Sequence, residues 1–141
     1  MAFQRVLYPV DFSEHSELCL AQTVGFLERE GTREIHLIYV LHTPTDFSTW
    51  SGDPAAEVQQ RLTEFAGELK PKPGVDTKST VRTGHPSTEI AKYAAEHHCD
   101  LIVMATHGRT GLAHMLLGST AEQVVRHAPC PVLTFRVTPS G

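Results

Sequence analysis

The chain lacks any apolar run approaching the ~20 residues that span a bilayer, so no membrane-spanning helix is expected. It also lacks an excess of positive charge. Its 12 Lys and Arg stand against 16 Asp and Glu, a formal net charge of −4. That balance argues against nucleic acid, or an anionic membrane, as a partner bound by bulk electrostatics. Cysteine is scarce. Cys19, Cys99 and Cys130 are an odd number without CxxC spacing, which fits a reducing compartment better than a disulfide framework. Met1-Ala-Phe-Gln-Arg5 leads directly into a strand pattern with no signal-peptide character, so the expected location is cytoplasmic. Two phosphate-binding motifs are missing as well: there is no Gly-Lys-Ser/Thr of the Walker A type and no Gly-x-Gly-x-x-Gly fingerprint.

What is there reads as one domain over residues 1–141. A chain of this size buries roughly two thirds of its unfolded surface and needs neither disulfides nor a structural metal to fold. Apolar runs at Arg5–Val10, Glu34–Val40, Leu101–Ala105 and Val132–Val137 predict strands. Residues 35–40 and 101–105 are almost continuously apolar, as in parallel strands covered on both faces. Val75–Arg82 alternates instead, with Val75, Thr77, Ser79 and Val81 on one face and Asp76, Lys78 and Thr80 on the other. That pattern suits a sheet edge.

Helical stripes lie between the strands. Leu20, Val24 and Leu27 follow Ser13, a candidate N-cap. Val58, Leu62, Phe65 and Leu69 follow Pro54, and Ile90, Ala94 and His97 follow Pro86-Ser87. Leu117, Ala121, Val124, Val125 and Ala128 form the last stripe, opened by a Ser119-x-x-Glu122 capping box. Alternating strands and helices of this length predict an α/β fold with a mainly parallel sheet and helices on both faces. Leu41–Ala56, with Pro44, Trp50, Gly52 and Pro54, is the one long irregular stretch and reads as a surface loop.

In such sheets ligands bind beyond the carboxyl ends of the strands, where strand order reverses. The ends here are Pro9-Val10-Asp11, Tyr39-Val40 and Ala105 to Gly108. If the first strand lies beside Leu101–Ala105, these ends converge on one crevice. The segment after Ala105 carries phosphate-binding parts: Gly108 and Gly118 permit close backbone approach, and Arg109 offers a fixed charge. Ser119 and Thr120 offer hydroxyls beside the unpaired N–H groups of a helix start. Glycines at such places are also ordinary turn residues, and Ser119 also reads as a simple cap. His107 lies within the loop, as a phosphate contact or a bystander. No activated nucleophile stands out, so general acid–base chemistry is not expected.

Other chemistry-bearing residues read as structural. In His97-His98-Cys99-Asp100 the adjacent imidazoles diverge on a helix and do not share an ion easily. Cys99 and Cys130 lie at strand starts, away from the crevice, and read as small buried hydrophobes. Cys19, near two glutamates, is not placed to ionise.

The chain resembles the universal stress protein family over essentially its whole length. The resemblance rests on Val6-Leu-Tyr-Pro-Val-Asp-Phe-Ser13, Gly84-His-Pro86, the segment from Cys99 to Leu112, Gly118-Ser-Thr120 and Ala128-Pro-Cys-Pro-Val-Leu133. It implies a single open five-stranded parallel sheet, Rossmann-like, in strand order 3-2-1-4-5. It further implies ATP, or ADP or AMP, at the switch point with Mg²⁺ or Mn²⁺. The family's ATP-binding branch carries Gly-x2-Gly-x9-Gly-Ser/Thr. Gly108, Gly118 and Ser119 match that pattern, whereas Ala105 stands at the first glycine and adds a methyl group.

By the resemblance, Gly108, Arg109, Gly118, Ser119 and Thr120 would surround the phosphates. Asp11 and the Val40 backbone would hold the adenine, with Pro9 and Ala105 near the ribose; Val10, Met104 and His107 complete the expected cofactor-binding set. Asp11 would also help place the cation. The implied role is a nucleotide-dependent regulatory or protective module in stress response, acting as a homodimer through the C-terminal strand 131–137, with a further protein partner conceivable. The alternatives are a slow ATPase or phosphotransferase using Asp11 and Arg109, or a nucleotide-free interaction protein in which Ala105 has closed the pocket.

Overall fold

The computed structural model describes residues 3–12, 14–41, 54–69, 74–105 and 119–135. In chain order the elements are β1 (Arg5–Pro9), α1 (Glu14–Arg29), β2 (Glu34–Leu41), α2 (Pro54–Leu69), β3 (Asp76–Thr83), α3 (Pro86–Glu96), β4 (Leu101–Ala105), α4 (Ser119–His127) and β5 (Val132–Phe135). The five strands form one sheet in the order β3-β2-β1-β4-β5, and every pairing is parallel. This is the implied strand order. It sets β1 at the centre, with Val6 opposite Ile35 on one side and opposite Leu101 on the other.

Strand alternation divides the core in two. Val6, Tyr8, Ile35, Leu37 and Val103 pack with Leu20, Val24 and Leu27 of α1 and Leu62 of α2. Leu7, Ile38, Ile102 and Met104 pack with Ile90, Tyr93 and Ala94 of α3 and with Ala121 and Val124 of α4. Both faces are therefore covered, which explains the near-continuous apolar runs of β2 and β4. At the amino ends of the strands the Asp100 carboxylate accepts the backbone N–H groups of Gln4 and Arg5 at 2.9 and 3.2 Å. The Asp100 N–H donates to the Arg5 carbonyl at 2.9 Å.

Several boundaries and faces differ from the sequence expectation. β1 stops at Pro9, β2 runs on to Leu41, and β3 is displaced by one residue. The helix over 86–96 stops before His97, which caps it and is exposed; Tyr93 takes the buried place instead. In α2, Val58 and Leu62 are buried, whereas Phe65 and Leu69 are half-buried. In α4, Ala121 and Val124 face the sheet and Val125 is 48% exposed, because so short a helix presents only a narrow stripe. Thr80 and Arg82 of β3 are half-buried, and the Arg82 guanidinium lies 5.0 Å from the Tyr93 ring centroid and 2.7 Å from Glu96. Ser119 is the first residue of α4, and Glu122 is paired with Arg126 at 3.1 Å. The Ser13 cap, Leu117, Trp50 and residues 136–137 of the last strand lie outside the described residues.

Candidate functional site

The sheet order reverses beside β1. β2 and β3 extend to one side of it, and the chain then crosses back through α3 to place β4 and β5 on the other. The carboxyl ends of β1 and β4 are thus neighbours. Val10 donates its N–H to the Ile38 carbonyl at 2.8 Å, which ties the end of β1 to β2. Gly84 donates to the Leu41 carbonyl at 2.8 Å, tying the end of β2 to the turn after β3. Gly84 has φ +148, and a Cβ there would stand 3.1 Å from Glu89 Cγ, so this turn requires glycine.

The expected site residues separate by what their side chains already do. Val10 and Met104 are 4% and 7% exposed and belong to opposite halves of the core. Their side chains are therefore committed to the core. Pro9, Asp11, Val40 and Ala105 are half-buried at the strand ends. Val40 packs against the α3 and α4 half, Ala105 against the α1 and α2 half. The Ala105 methyl group is therefore half-buried against that half of the core. Ser119 is exposed and Thr120 half-buried at the start of α4, whose Ala121 shares a core with Met104. Pro9, Val40 and Ala105 thus lie at or next to the carboxyl ends of β1, β2 and β4, Asp11 stands two residues past β1, and Ser119 and Thr120 open α4. His107, Gly108, Arg109 and Gly118 lie outside the described residues.

Two groups near the strands carry chemistry that the sequence did not signal. Phe12, directly after Asp11, has φ +59. Its ring stacks on Tyr39 at 5.2 Å and 25°, meets Phe65 edge-on at 6.2 Å, and lies under the Arg61 guanidinium at 4.1 Å. The second group lies within the sheet. His36 is 2% exposed, with Nε2 at 3.0 Å from Glu34 Oε1 and Nδ1 at 2.6 Å from the Tyr93 hydroxyl. The Glu34 carboxylate only accepts, so Nε2 carries the proton and Tyr93 donates to Nδ1. Burial holds the His36 pKa below its ordinary value, against the opposing pull of Glu34. The bond from His36, with help from Arg5 and Lys78, draws Glu34 down to about 2. His97 stacks on Tyr93 at 4.0 Å and its ring lies 5.9 Å from His36.

The cysteines are held as thiols. Burial, followed by the neighbouring Cys130, pushes Cys99 up to about 12, and burial raises Cys19 and Cys130. Among the described residues no helix is long and apolar enough to cross a membrane.

Comparison with known proteins agrees with this architecture. The model of the universal stress protein family matches residues 2–136. Universal stress protein MJ0577 of Methanocaldococcus jannaschii is 31% identical over 156 residues, covering 95% of each chain. Among solved structures, a universal stress protein in complex with cAMP superimposes with TM-score 0.71 at 20% identity, covering 98% of this chain and all of that one. The universal stress protein from Archaeoglobus fulgidus in complex with dAMP does so with TM-score 0.68 at 18% identity, covering 95% and 98%. At those identities the two structures share the fold with this chain.

Proposed function

The chain belongs to the universal stress protein family, and from that membership we propose that it binds an adenine nucleotide at the switch point between β1 and β4. There it acts as a nucleotide-dependent regulatory or protective module in stress response. The observation that carries the reading is the sheet order, which makes the carboxyl ends of β1 and β4 adjacent with Asp11 two residues beyond β1. Relatives of the same fold hold cAMP and dAMP, two ligands that share adenine. The packing of Ala105 against the core argues against a pocket closed by its methyl group.

In this reading Asp11 and the Val40 backbone hold the base. Pro9 and Ala105, with the backbones of Val10 and Met104, flank the ribose. His107, Gly108, Arg109, Gly118, Ser119 and Thr120 surround the phosphates, with the N–H groups at the start of α4 as donors. A divalent cation, Mg²⁺ or Mn²⁺, would neutralise phosphate charge. Among the described residues no group of three or more His, Cys, Asp or Glu could hold an ion. Asp11 would be the protein's contribution, and the remaining ligands would be phosphate oxygens and water, a usual arrangement for Mg²⁺. The acting form is a homodimer joined along β5, an edge strand of the sheet.

The test is the content and capacity of the pocket. Nucleotide released from purified protein is identified by absorbance and mass, and ATP, ADP, AMP and cAMP are titrated calorimetrically. Saturable binding that weakens in Asp11→Ala is expected. No binding of any of the four at millimolar ligand overturns the reading.

A further inference from the structure

Phe12 and His98 are the non-glycine residues with positive φ among those described. His98 follows the end of α3, where a left-handed residue commonly stops a helix. Phe12 has no such reason. It lies past the end of β1 and before α1, and its Cβ crowds the following carbonyl in that conformation. Backbone strain of this kind persists where the surroundings over-determine it, and it gathers at ligand sites.

The surroundings here are the ring contacts. Tyr39 stacks on the Phe12 ring, Phe65 meets its edge, and the Arg61 guanidinium lies over it at 4.1 Å, within cation–π range. Phe12 is half-buried and packs against the α1 and α2 half of the core through these contacts. The contact that matters is the first. Phe12 adjoins Asp11 and Tyr39 adjoins Val40, the two positions assigned to the base. Stacking Phe12 on Tyr39 therefore joins the two strand ends one residue away from each of those positions.

We propose that Phe12 is a positioning residue of the nucleotide site: its ring, clamped by Tyr39, Phe65 and Arg61, holds residue 12 left-handed and thereby sets Asp11 against Val40 at the spacing an adenine needs. This rests on the nucleotide reading above. Its chemical content is base selectivity. A carboxylate accepts from the N6 amino group of adenine and repels the O6 acceptor of guanine. Loosening Asp11 therefore costs ATP its advantage and leaves GTP nearly unaffected.

The experiment measures ATP and GTP affinities of the full chain as wild type, Phe12→Tyr, Phe12→Gly and Arg61→Gln, with thermal melting of each protein alone. Phe12→Tyr keeps the ring and is expected within about twofold of wild type for both nucleotides. Phe12→Gly removes ring and strain together and is expected to weaken ATP roughly tenfold while GTP changes little. Arg61→Gln is expected to shift the ATP:GTP ratio in the same direction by a smaller factor. A folded Phe12→Gly protein with the wild-type ratio overturns the proposal, as does equal weakening of both nucleotides, the mark of a merely structural role. If Phe12→Gly does not fold, an unchanged ratio in Arg61→Gln overturns it alone. Wild type that binds neither nucleotide removes the site reading itself, a result distinct from the others.

Discussion

His36 illustrates how one residue can tie the fold to pH. It is buried and neutral, with both ring nitrogens bonded within the fold. Its depressed pKa means that the unfolded chain takes up a proton before the folded chain does. The stability it contributes is present above its ordinary value of about 6.5 and is lost as pH falls through the lower folded value. The slope reaches at most about 1.4 kcal/mol per pH unit for one proton. Urea denaturation at several pH values between 8 and 5 is expected to show wild type losing more stability than His36→Phe. Equal losses would place the titration elsewhere. Nothing in the sequence signalled this group. His36 sits inside an apolar strand pattern, and its partner Tyr93 lies 57 residues away. Gly84 makes the second prediction at this scale. Gly84→Ala is expected to destabilise by about 1–3 kcal/mol in the same denaturation experiment, since its Cβ meets Glu89 at 3.1 Å in a strained backbone.

At the scale of elements, periodicity located the five strands and four helices of the described residues, because parallel strands and amphipathic helices differ plainly in period. It was less reliable about which side of a helix is covered. Val124 and Val125 were equal members of one stripe, yet the first is fully buried and the second is 48% exposed. Val124→Ala is therefore expected to cost about 2 kcal/mol, and Val125→Ala to stay within about 0.5 kcal/mol. Chemical denaturation of the two variants checks the orientation of α4. The strand ends of the candidate site were legible for the same reason as the strands themselves. The share of each side chain was not: Val10 and Met104 are spent on the core, a fact of packing across the sheet rather than of local pattern. The left-handed Phe12 was equally hidden, because no local rule places an aromatic residue there.

For the molecule as a whole, the strand order was legible only through the family resemblance, since periodicity says nothing about which strands are neighbours. The proposed dimer belongs to this scale. Sedimentation at micromolar concentration is expected to give twice the 15.5 kDa of one chain. A single-chain mass throughout would remove the β5 pairing.

The bond from Gln4 to the Asp100 carboxylate has a consequence in time. It spans 96 residues and closes the boundary between β1 and β4. At a synthesis rate of about 5–20 residues per second, the first strand waits roughly 5 to 20 s for the partner that completes it. Until then Leu7 and Tyr8, fully buried in the finished fold, lie on a strand with one side open. The residues made first are among the last to be enclosed, so a nascent chain interrupted before β4 exposes the very centre of the sheet.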